Sequence, residues 1–104
     1  MARKKSATLT DAELRLMEIL WRQGESSVSD VVTALPADLN LAYNTVLTTL
    51  RILERKGFVT HVKSGRAHLY RPLVDRTEAR RTAVAYMLRR FFDNSPEALA
   101  LHIL

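Results

Sequence analysis

Near the start of the chain, apolar residues recur every three to four positions, which is the spacing of one face of a helix. This spacing predicts a first helix from about Asp11 to Gln23. Thr10 and Glu13 have the spacing of a capping box, in which each side chain accepts a hydrogen bond from the other residue's backbone amide. Gly24 is expected to end the helix in a left-handed conformation. The residues predicted to face a core are Leu14, Met17, Ile19, Leu20 and Trp21.

A second, shorter helix is predicted after Gly24. The segment Ser26–Val28 is expected to add an edge to a small sheet. Ser29 would then cap the helix, with Asp30 at the positive end of its dipole. Pro36 ends the helix, because the residue before a proline disfavours the helical backbone. Its predicted buried residues are Val31, Val32 and Leu35.

The third helix is predicted from about Leu41 to Lys56, with Gly57 ending it. Residues placed at intervals of about 100° separate into two faces. The face predicted to be buried contains Ala42, Tyr43, Val46, Leu50 and Leu53. The opposite face contains Asn44, Thr45, Thr48, Arg51 and Arg55. A helix face exposed only to water usually mixes Glu and Lys in i, i+4 pairs, whereas the centre of this face contains no carboxylate.

A β-hairpin is predicted next, with strands over residues 58–62 and 67–70. Ser64-Gly65 is the expected turn, because glycine readily adopts a positive φ. Pro72 would end the sheet, since proline cannot donate a hydrogen bond to the neighbouring strand. The expected cross-strand pairs are Lys63 with Arg66 and His61 with His68.

Two C-terminal helices complete the prediction, one over residues 75–93 and one beginning at Ser95-Pro96-Glu97. Together they carry an apolar stripe that includes Val84, Met87, Leu88, Phe91, Phe92, Leu99 and Ile103. On a monomer this stripe would exceed the apolar patches that soluble monomers normally expose. The sequence therefore predicts a two-fold homodimer in which these helices pack on their counterparts. The alternative is that they fold back onto the rest of their own chain.

Charge is distributed unevenly along the 104 residues, whose formal net charge is +5. Residues 6–38 carry two arginines against six acids, a net charge of −4, whereas residues 39–72 carry six basic residues against Glu54 alone, a net charge of +5. Such a concentration of positive charge indicates a polyanionic partner. A generally basic soluble protein is the alternative.

The order of these elements predicts a mainly α fold with a small β-hairpin. We interpret residues 1–74 as a winged helix-turn-helix and residues 75–104 as C-terminal dimerisation helices. In such a motif the longer helix enters the DNA major groove, and a basic hairpin beside it contacts phosphates or the minor groove. The alternative for both elements is a surface exposed only to water.

The side chains predicted to contact double-stranded DNA divide by their chemistry. Arg51 can pair bidentately with guanine, and Asn44 with adenine. The position of Tyr43 leaves open a core ring or a phosphate contact. The predicted DNA-binding residues are Tyr43, Asn44, Thr45, Thr48, Arg51, Arg55, Lys63 and Arg66. Of these, Arg55, Lys63 and Arg66 suit phosphates, where charge matters more than shape.

Several classes of protein are not expected. The chain has no cysteine, which excludes disulfides and thiolate metal sites. His61 and His68 without a nearby carboxylate or thiol make a poor metal site, and we interpret them as surface or phosphate-facing histidines.

No apolar run is long enough to cross a membrane, and the start of the chain does not have the pattern of a secretion signal, which predicts a cytoplasmic protein. No nucleophile with a partner base is visible, so an enzyme, a cofactor and a small-molecule substrate are not expected.

Four stretches of the chain resemble the penicillinase-repressor (BlaI/MecI) family of winged-helix regulators. They are Leu9-Thr10-Asp11-Ala12-Glu13 with Met17-Glu18-Ile19-Leu20-Trp21, Leu41-Ala42-Tyr43-Asn44-Thr45-Val46, Leu53-Glu54-Arg55-Lys56-Gly57-Phe58-Val59, and Gly65-Arg66-Ala67-His68-Leu69-Tyr70-Arg71-Pro72. The resemblance implies a dimeric repressor on palindromic operators of antibiotic-resistance or stress genes. It also implies release when a membrane sensor protease triggers cleavage of the C-terminal dimerisation region.

The same resemblance implies roles for individual residues. Asn44, Thr45 and Thr48 would read bases, with help from Tyr43 and Arg51. Lys63 and Arg66 would form the wing contact. Family members usually continue for about another helix beyond the position of Leu104, and a copper-responsive branch carries C-terminal cysteines that this chain lacks. Copper sensing is therefore not expected, and the alternative function is a winged-helix protein-interaction module without DNA binding.

Overall fold

The computed structural model describes residues 8–104, which form five helices and a three-stranded antiparallel sheet. The elements are α1 (Asp11–Gln23), β1 (Ser26–Ser27), α2 (Val28–Ala34), α3 (Tyr43–Lys56), β2 (Val59–Ser64), β3 (Ala67–Pro72), α4 (Arg76–Phe91) and α5 (Pro96–Ile103). This is the predicted order, and the winged-helix fold class is confirmed. The first seven residues of the predicted DNA-binding domain, including the basic Arg3, Lys4 and Lys5, lie outside the described range.

The boundaries of α1 are those that the sequence predicts. The Thr10 amide donates to Glu13 Oε1 at 2.9 Å, and the Glu13 amide donates to Thr10 Oγ1 at 3.1 Å. Gly24 ends the helix with its amide donating to the Leu20 carbonyl oxygen at 2.8 Å. Its φ is positive, at 80°, but its ψ of −157° lies outside the left-handed helical region. The predicted conformation of Gly24 was therefore right only in φ.

The cap of α2 is Ser27, and the prediction of Ser29 was wrong. The Ser27 amide donates to Asp30 Oδ2 and the Asp30 amide donates to Ser27 Oγ, both at 3.0 Å. The helix therefore begins at Val28, whose side chain is buried in the core. Ser29 consequently lies in the first turn and is exposed.

The sheet has the strand order β1-β3-β2, so the short segment Ser26–Ser27 is an edge, as predicted. The hairpin turn is Gly65-Arg66 rather than Ser64-Gly65, because Ser64 pairs with Ala67. Gly65 has a φ of 62° and occupies the first central position, where the favoured two-residue hairpin turns require a positive φ. The observed pairs are therefore Lys63 with His68 and His61 with Tyr70.

One core joins the inner faces of α1, α2 and α3 to the base of the hairpin. Its fully buried side chains include Leu16, Met17, Leu20, Val31, Val46, Leu50, Leu53, Phe58, Val59 and Tyr70. The prediction that Ala42 and Tyr43 belong to it was wrong. Ala42 is the extended N-cap residue of α3, so the first turn of the helix extends beyond the core and both residues are exposed.

Helix α4 begins one residue after and ends two residues before the predicted range of 75–93, whereas α5 begins at the predicted Ser95-Pro96-Glu97 signal. Asp75 caps α4 by accepting from the Glu78 amide at 2.7 Å, and Ser95 caps α5 by accepting from the Ala98 amide at 3.1 Å. Only Ala79 of α4 is buried, and no residue of α5 is. Both helices therefore lie largely outside the winged-helix core. None of the helices in residues 8–104 is long and apolar enough to cross a membrane.

Candidate nucleic-acid interface

The polar face of α3 is exposed because the residues on the opposite face of the helix are buried in the core. Val46, Leu50 and Leu53 are fully buried and fix the rotation of the helix about its axis. The structure brings together on the exposed side the five polar residues predicted for this face, which are Asn44, Thr45, Thr48, Arg51 and Arg55. Thr48, Arg51 and Arg55 also line one shallow surface depression with Glu54.

Tyr43 lies in a groove between α3 and the hairpin. Its side chain is 50% exposed. Of the two interpretations left open for Tyr43, the core ring is therefore wrong. The groove has a volume of about 400 Å³, and its lining includes Leu47, Arg51, Arg66 and His68 together with Ser27 and Ser29 at the start of α2. The two serines were not among the predicted contact residues, and His68 was predicted only as a surface or phosphate-facing histidine. The spacing of Ser27 and Asp30, which form the capping box of α2, was the sequence signal that pointed to Ser27.

The tip of the hairpin presents two cations. Lys63 and Arg66 are both exposed, Lys63 on β2 and Arg66 in the turn. Because successive side chains alternate between the two faces of a strand, Lys63 shares a face with His61 and with its cross-strand partner His68. This is the face of the hairpin that contacts α3.

Two of the six basic residues in the positive segment are held by carboxylates elsewhere. Lys56 Nζ lies 2.7 Å from Oε1 of the buried Glu13, and Arg71 lies 3.8 Å from Glu25. Among residues 8–104, the basic residues of this segment without such an ion pair are Arg51, Arg55, Lys63 and Arg66. These four are the cations predicted to contact DNA.

A carboxylate lies beside the histidines, contrary to the prediction. His61 Nδ1 is 2.9 Å from both carboxylate oxygens of Glu54, and the His61 ring stacks on His68 with centroids 4.7 Å apart. The contact was missed because it depends on how the chain reverses after Gly57. No group of three or more His, Asp or Glu side chains able to hold a metal ion was found in the described part of the chain.

Tyr70 connects the hairpin to the middle of α3. Burial raises the pKa of its hydroxyl above the ordinary value, and the negative charge of Glu54 raises it further. The charge of Arg51 and a hydrogen bond from its side chain act in the opposite direction. The phenol is therefore neutral at neutral pH and lies beside the arginine predicted to read a base.

The predicted dimer residues form a largely exposed surface on α4 and α5. Phe91 is 67% exposed and Ile103 is 72% exposed, and Val84 and Met87 are exposed as well. The partly buried members of the predicted set are Leu88, Phe92 and Leu99. Four of the seven predicted residues are thus exposed in the single chain.

Comparisons with known proteins show what this chain is similar to. The penicillinase repressor family profile matches residues 9–104. A penicillinase repressor from Bacillus licheniformis is 28% identical over 101 residues, covering 97% of this chain and 79% of the relative. The transcriptional regulator BlaI from Mycobacterium tuberculosis is 40% identical over 75 residues, or 71% of this chain and 54% of the relative. This chain thus spans about half the length of that relative.

A solved structure provides the corresponding comparison of folds. It is the solution structure of Bacillus licheniformis BlaI in its monomeric form, in complex with the blaP half-operator. It is 31% identical to this chain and superposes with a TM-score of 0.59. The match covers 72% of this chain and 92% of that one.

Proposed function

Because the chain belongs to the penicillinase repressor family, we propose that it is a transcriptional repressor that binds palindromic operators as a homodimer. Residues 1–74 bind the DNA, and residues 75–104 dimerise. One observation carries the proposal: the cations of the positive segment that form no ion pair within residues 8–104 all lie on α3 or the hairpin tip. The BlaI relative in complex with a half-operator supports the same assignment.

The DNA contact that we assign to each exposed side chain follows from its chemistry. Helix α3 enters the major groove, where Arg51 pairs with guanine and Asn44 with adenine, while Thr45 and Thr48 contact bases or phosphates. Tyr43 and Arg55 contact the flanking backbone. Lys63 and Arg66 of the hairpin bind phosphates, and each neutralised phosphate releases condensed counterions. The outer face of α3 thus selects the sequence and the hairpin adds affinity.

Dimerisation sets the form of the operator. The apolar surface of α4 and α5 packs against its counterpart in a second copy, which buries residues such as Phe91 and Ile103. A two-fold dimer places two recognition helices about one helical turn of DNA apart, or roughly 34–36 Å, and therefore requires a palindromic site. In a bacterium such a protein acts in the cytoplasm on antibiotic-resistance or stress genes. Cleavage of the C-terminal region, triggered by a sensor protease, then relieves repression by separating the two copies.

A binding selection tests this function directly. The purified protein is incubated with fragmented genomic DNA, and the bound fragments are sequenced at two salt concentrations. We expect enrichment of a palindrome whose half-sites are separated by one helical turn, with affinity falling steeply as salt rises. Recovery of no common sequence, or binding that does not change with salt, would contradict the proposal and favour a winged-helix protein-interaction module.

A further inference from the structure

Glu54 is a carboxylate at the edge of the surface that faces DNA in the proposed function. It lines the same depression as Thr48, Arg51 and Arg55. A negative charge so close to DNA phosphates opposes binding by simple electrostatics. Its carboxylate is nevertheless directed at the hairpin, with both oxygens 2.9 Å from His61 Nδ1. Neither side chain is fully buried, with 29% of Glu54 and 34% of His61 exposed.

We propose that Glu54 is a positioning residue, which sets the hairpin against α3 by holding His61. The proposal rests on the proposed function, because it concerns how the two DNA-binding elements are aligned. Glu54 acts through His61 and its stacked neighbour His68, so that Lys63 remains on the DNA side of the hairpin. The carboxylate therefore increases DNA affinity despite its charge.

The core anchors the hairpin only as far as the buried Tyr70 of β3, which lies opposite His61. Phe58 and Val59 are buried, whereas the strand becomes progressively more exposed from Thr60 to Ser64. The outer half of β2 therefore has little apolar contact to fix its direction. Strands that lack such packing open at low free-energy cost. The contact of His61 with α3 supplies a polar restraint at the point where the buried part of the strand ends.

The restraint at His61 extends to the cationic part of the hairpin. The His61 ring stacks on His68 at 4.7 Å with an interplanar angle of 24°, and it packs against Tyr70 at 5.3 Å. His68 in turn pairs across the ladder with Lys63. Because His61 and Lys63 lie on the same face of β2, fixing the first also sets the side on which the second lies.

A direct role for Glu54 makes different predictions. A carboxylate can accept a hydrogen bond from the cytosine amino group in the major groove. In that case His61 would contribute independently, and the loss of Glu54 would change preference at a single base pair. In the positioning role, the two residues act as one unit, and the loss falls on selected and random DNA alike.

The test compares E54A, E54Q, H61A and the double variant E54A/H61A with the control E18A. Glu18 is a carboxylate on α1, so E18A changes the net charge by the same amount as E54A. Like Glu54, it contacts a basic side chain, Arg15, at 3.9 Å. The probes are the highest-affinity duplex recovered from a random pool and an unselected duplex of equal length. Affinities are measured by fluorescence anisotropy at one fixed salt concentration.

We expect E54A and H61A each to bind both duplexes about two- to fivefold more weakly, in line with the contribution of a partly exposed charged pair. The double variant should be no weaker than either single variant. E54Q should lose less than E54A, because its amide oxygen still accepts from Nδ1. E18A should bind as tightly as the original chain or more tightly. If E54A behaves like E18A, or if the losses of E54A and H61A add, Glu54 does not position the hairpin.

A measurement without DNA separates this proposal from the proposed function. In the free protein, E54A should shift the imidazole resonances of both His61 and His68 and broaden the hairpin amides, while the core amides of α1 and α3 stay unchanged. E18A should leave both rings unaffected. Unchanged His68 resonances in E54A would overturn the positioning role even if the protein binds DNA. Failure of the original chain to bind any duplex, with these shifts present, would overturn only the proposed function.

Discussion

The indole nitrogen of Trp21 donates a hydrogen bond to the carbonyl oxygen of Val74 at 2.8 Å, joining the end of α1 to the start of α4. The guanidinium of Arg76 lies 5.4 Å from the centre of the same indole ring. Val74 is itself buried. These contacts fix the direction in which α4 leaves the winged helix, and in the proposed dimer they would therefore set the separation of the two α3 helices.

Replacing Trp21 with phenylalanine keeps an aromatic ring and removes the donor. We expect W21F to lower the free energy of unfolding by about 1–3 kcal/mol, because the buried Val74 carbonyl loses its partner. Urea unfolding followed by circular dichroism measures this, since the variant has no tryptophan. The control R76A keeps the hydrogen bond and should lose only about 0.5–1 kcal/mol. Equal unfolding midpoints for W21F and the original chain would show that the hydrogen bond does not stabilise this junction.

Neighbouring cations at the end of α3 should have different roles. Lys56 Nζ contacts the buried Glu13 at 2.7 Å, whereas Arg55 is exposed. We expect K56M to destabilise the fold by about 2 kcal/mol, less than for a fully buried pair because Lys56 is partly exposed. R55M should keep its stability within about 0.5 kcal/mol and lose DNA affinity instead. Urea unfolding and fluorescence anisotropy on both variants test this, and loss of DNA affinity in a stable K56M would contradict it.

The sequence predicts the elements that local chemistry determines. Thr10 with Glu13 and Gly57 with its positive φ mark helix ends through neighbouring residues alone, and both helix ends lie as predicted. The cap of α2 was misassigned because Ser27 and Ser29 are both good capping residues, although only Ser27 has an acidic residue three positions later, Asp30, with which it forms a capping box.

The features that depend on distant residues were the ones missed. Moving the hairpin turn by one residue keeps Gly65 in it, so the local pattern does not determine the register. Once Ser64 pairs with Ala67, His61 lies opposite Tyr70 and reaches Glu54 on α3. The polar face of α3 was predictable from its spacing alone, whereas the contact between this helix and the hairpin was not.

Tyr70 should make the stability of the fold depend on alkaline pH. Its pKa is raised in the folded chain, first by burial and then by Glu54, so folding favours the protonated phenol. That contribution is fully present below the unfolded pKa near 10 and is lost as the pH rises through the higher folded value. In the variant Y43F/Y86F, which keeps Tyr70 alone, phenolate absorbance should appear at higher pH when the chain is folded than when it is unfolded in urea. Coincident titrations in the two states would contradict this assignment.

The exposed stripe on α4 should control the oligomeric state. We expect F91D to yield monomers in light scattering, because a carboxylate buried in the centre of an apolar interface is costly unless it is paired. The control A37D places the same charge on an exposed residue between α2 and α3, outside both C-terminal helices, and it should remain dimeric. Circular dichroism checks that both variants stay folded. A folded F91D that remains a dimer would place the interface elsewhere.

Arg51 and Lys63 should separate sequence recognition from general affinity. Arg51 lies in the middle of α3 beside the neutral hydroxyl of Tyr70, whereas Lys63 is exposed near the hairpin tip. We expect R51A to cost about 1–3 kcal/mol on the selected operator and to relax preference at one base pair, with little effect on random DNA. K63A should weaken binding to every duplex alike and reduce the slope of affinity against salt by about one counterion.

The comparison requires the full set of single-base operator variants for both proteins, measured across a range of salt. R51A should flatten the preference at one position in each half-site, and the operator's symmetry predicts that the two positions are related by the dyad. K63A should lower every value while leaving their rank order unchanged. If both variants instead lose equal affinity on selected and random DNA, Arg51 contacts only phosphate, and sequence recognition must then depend on Asn44, Thr45 and Thr48.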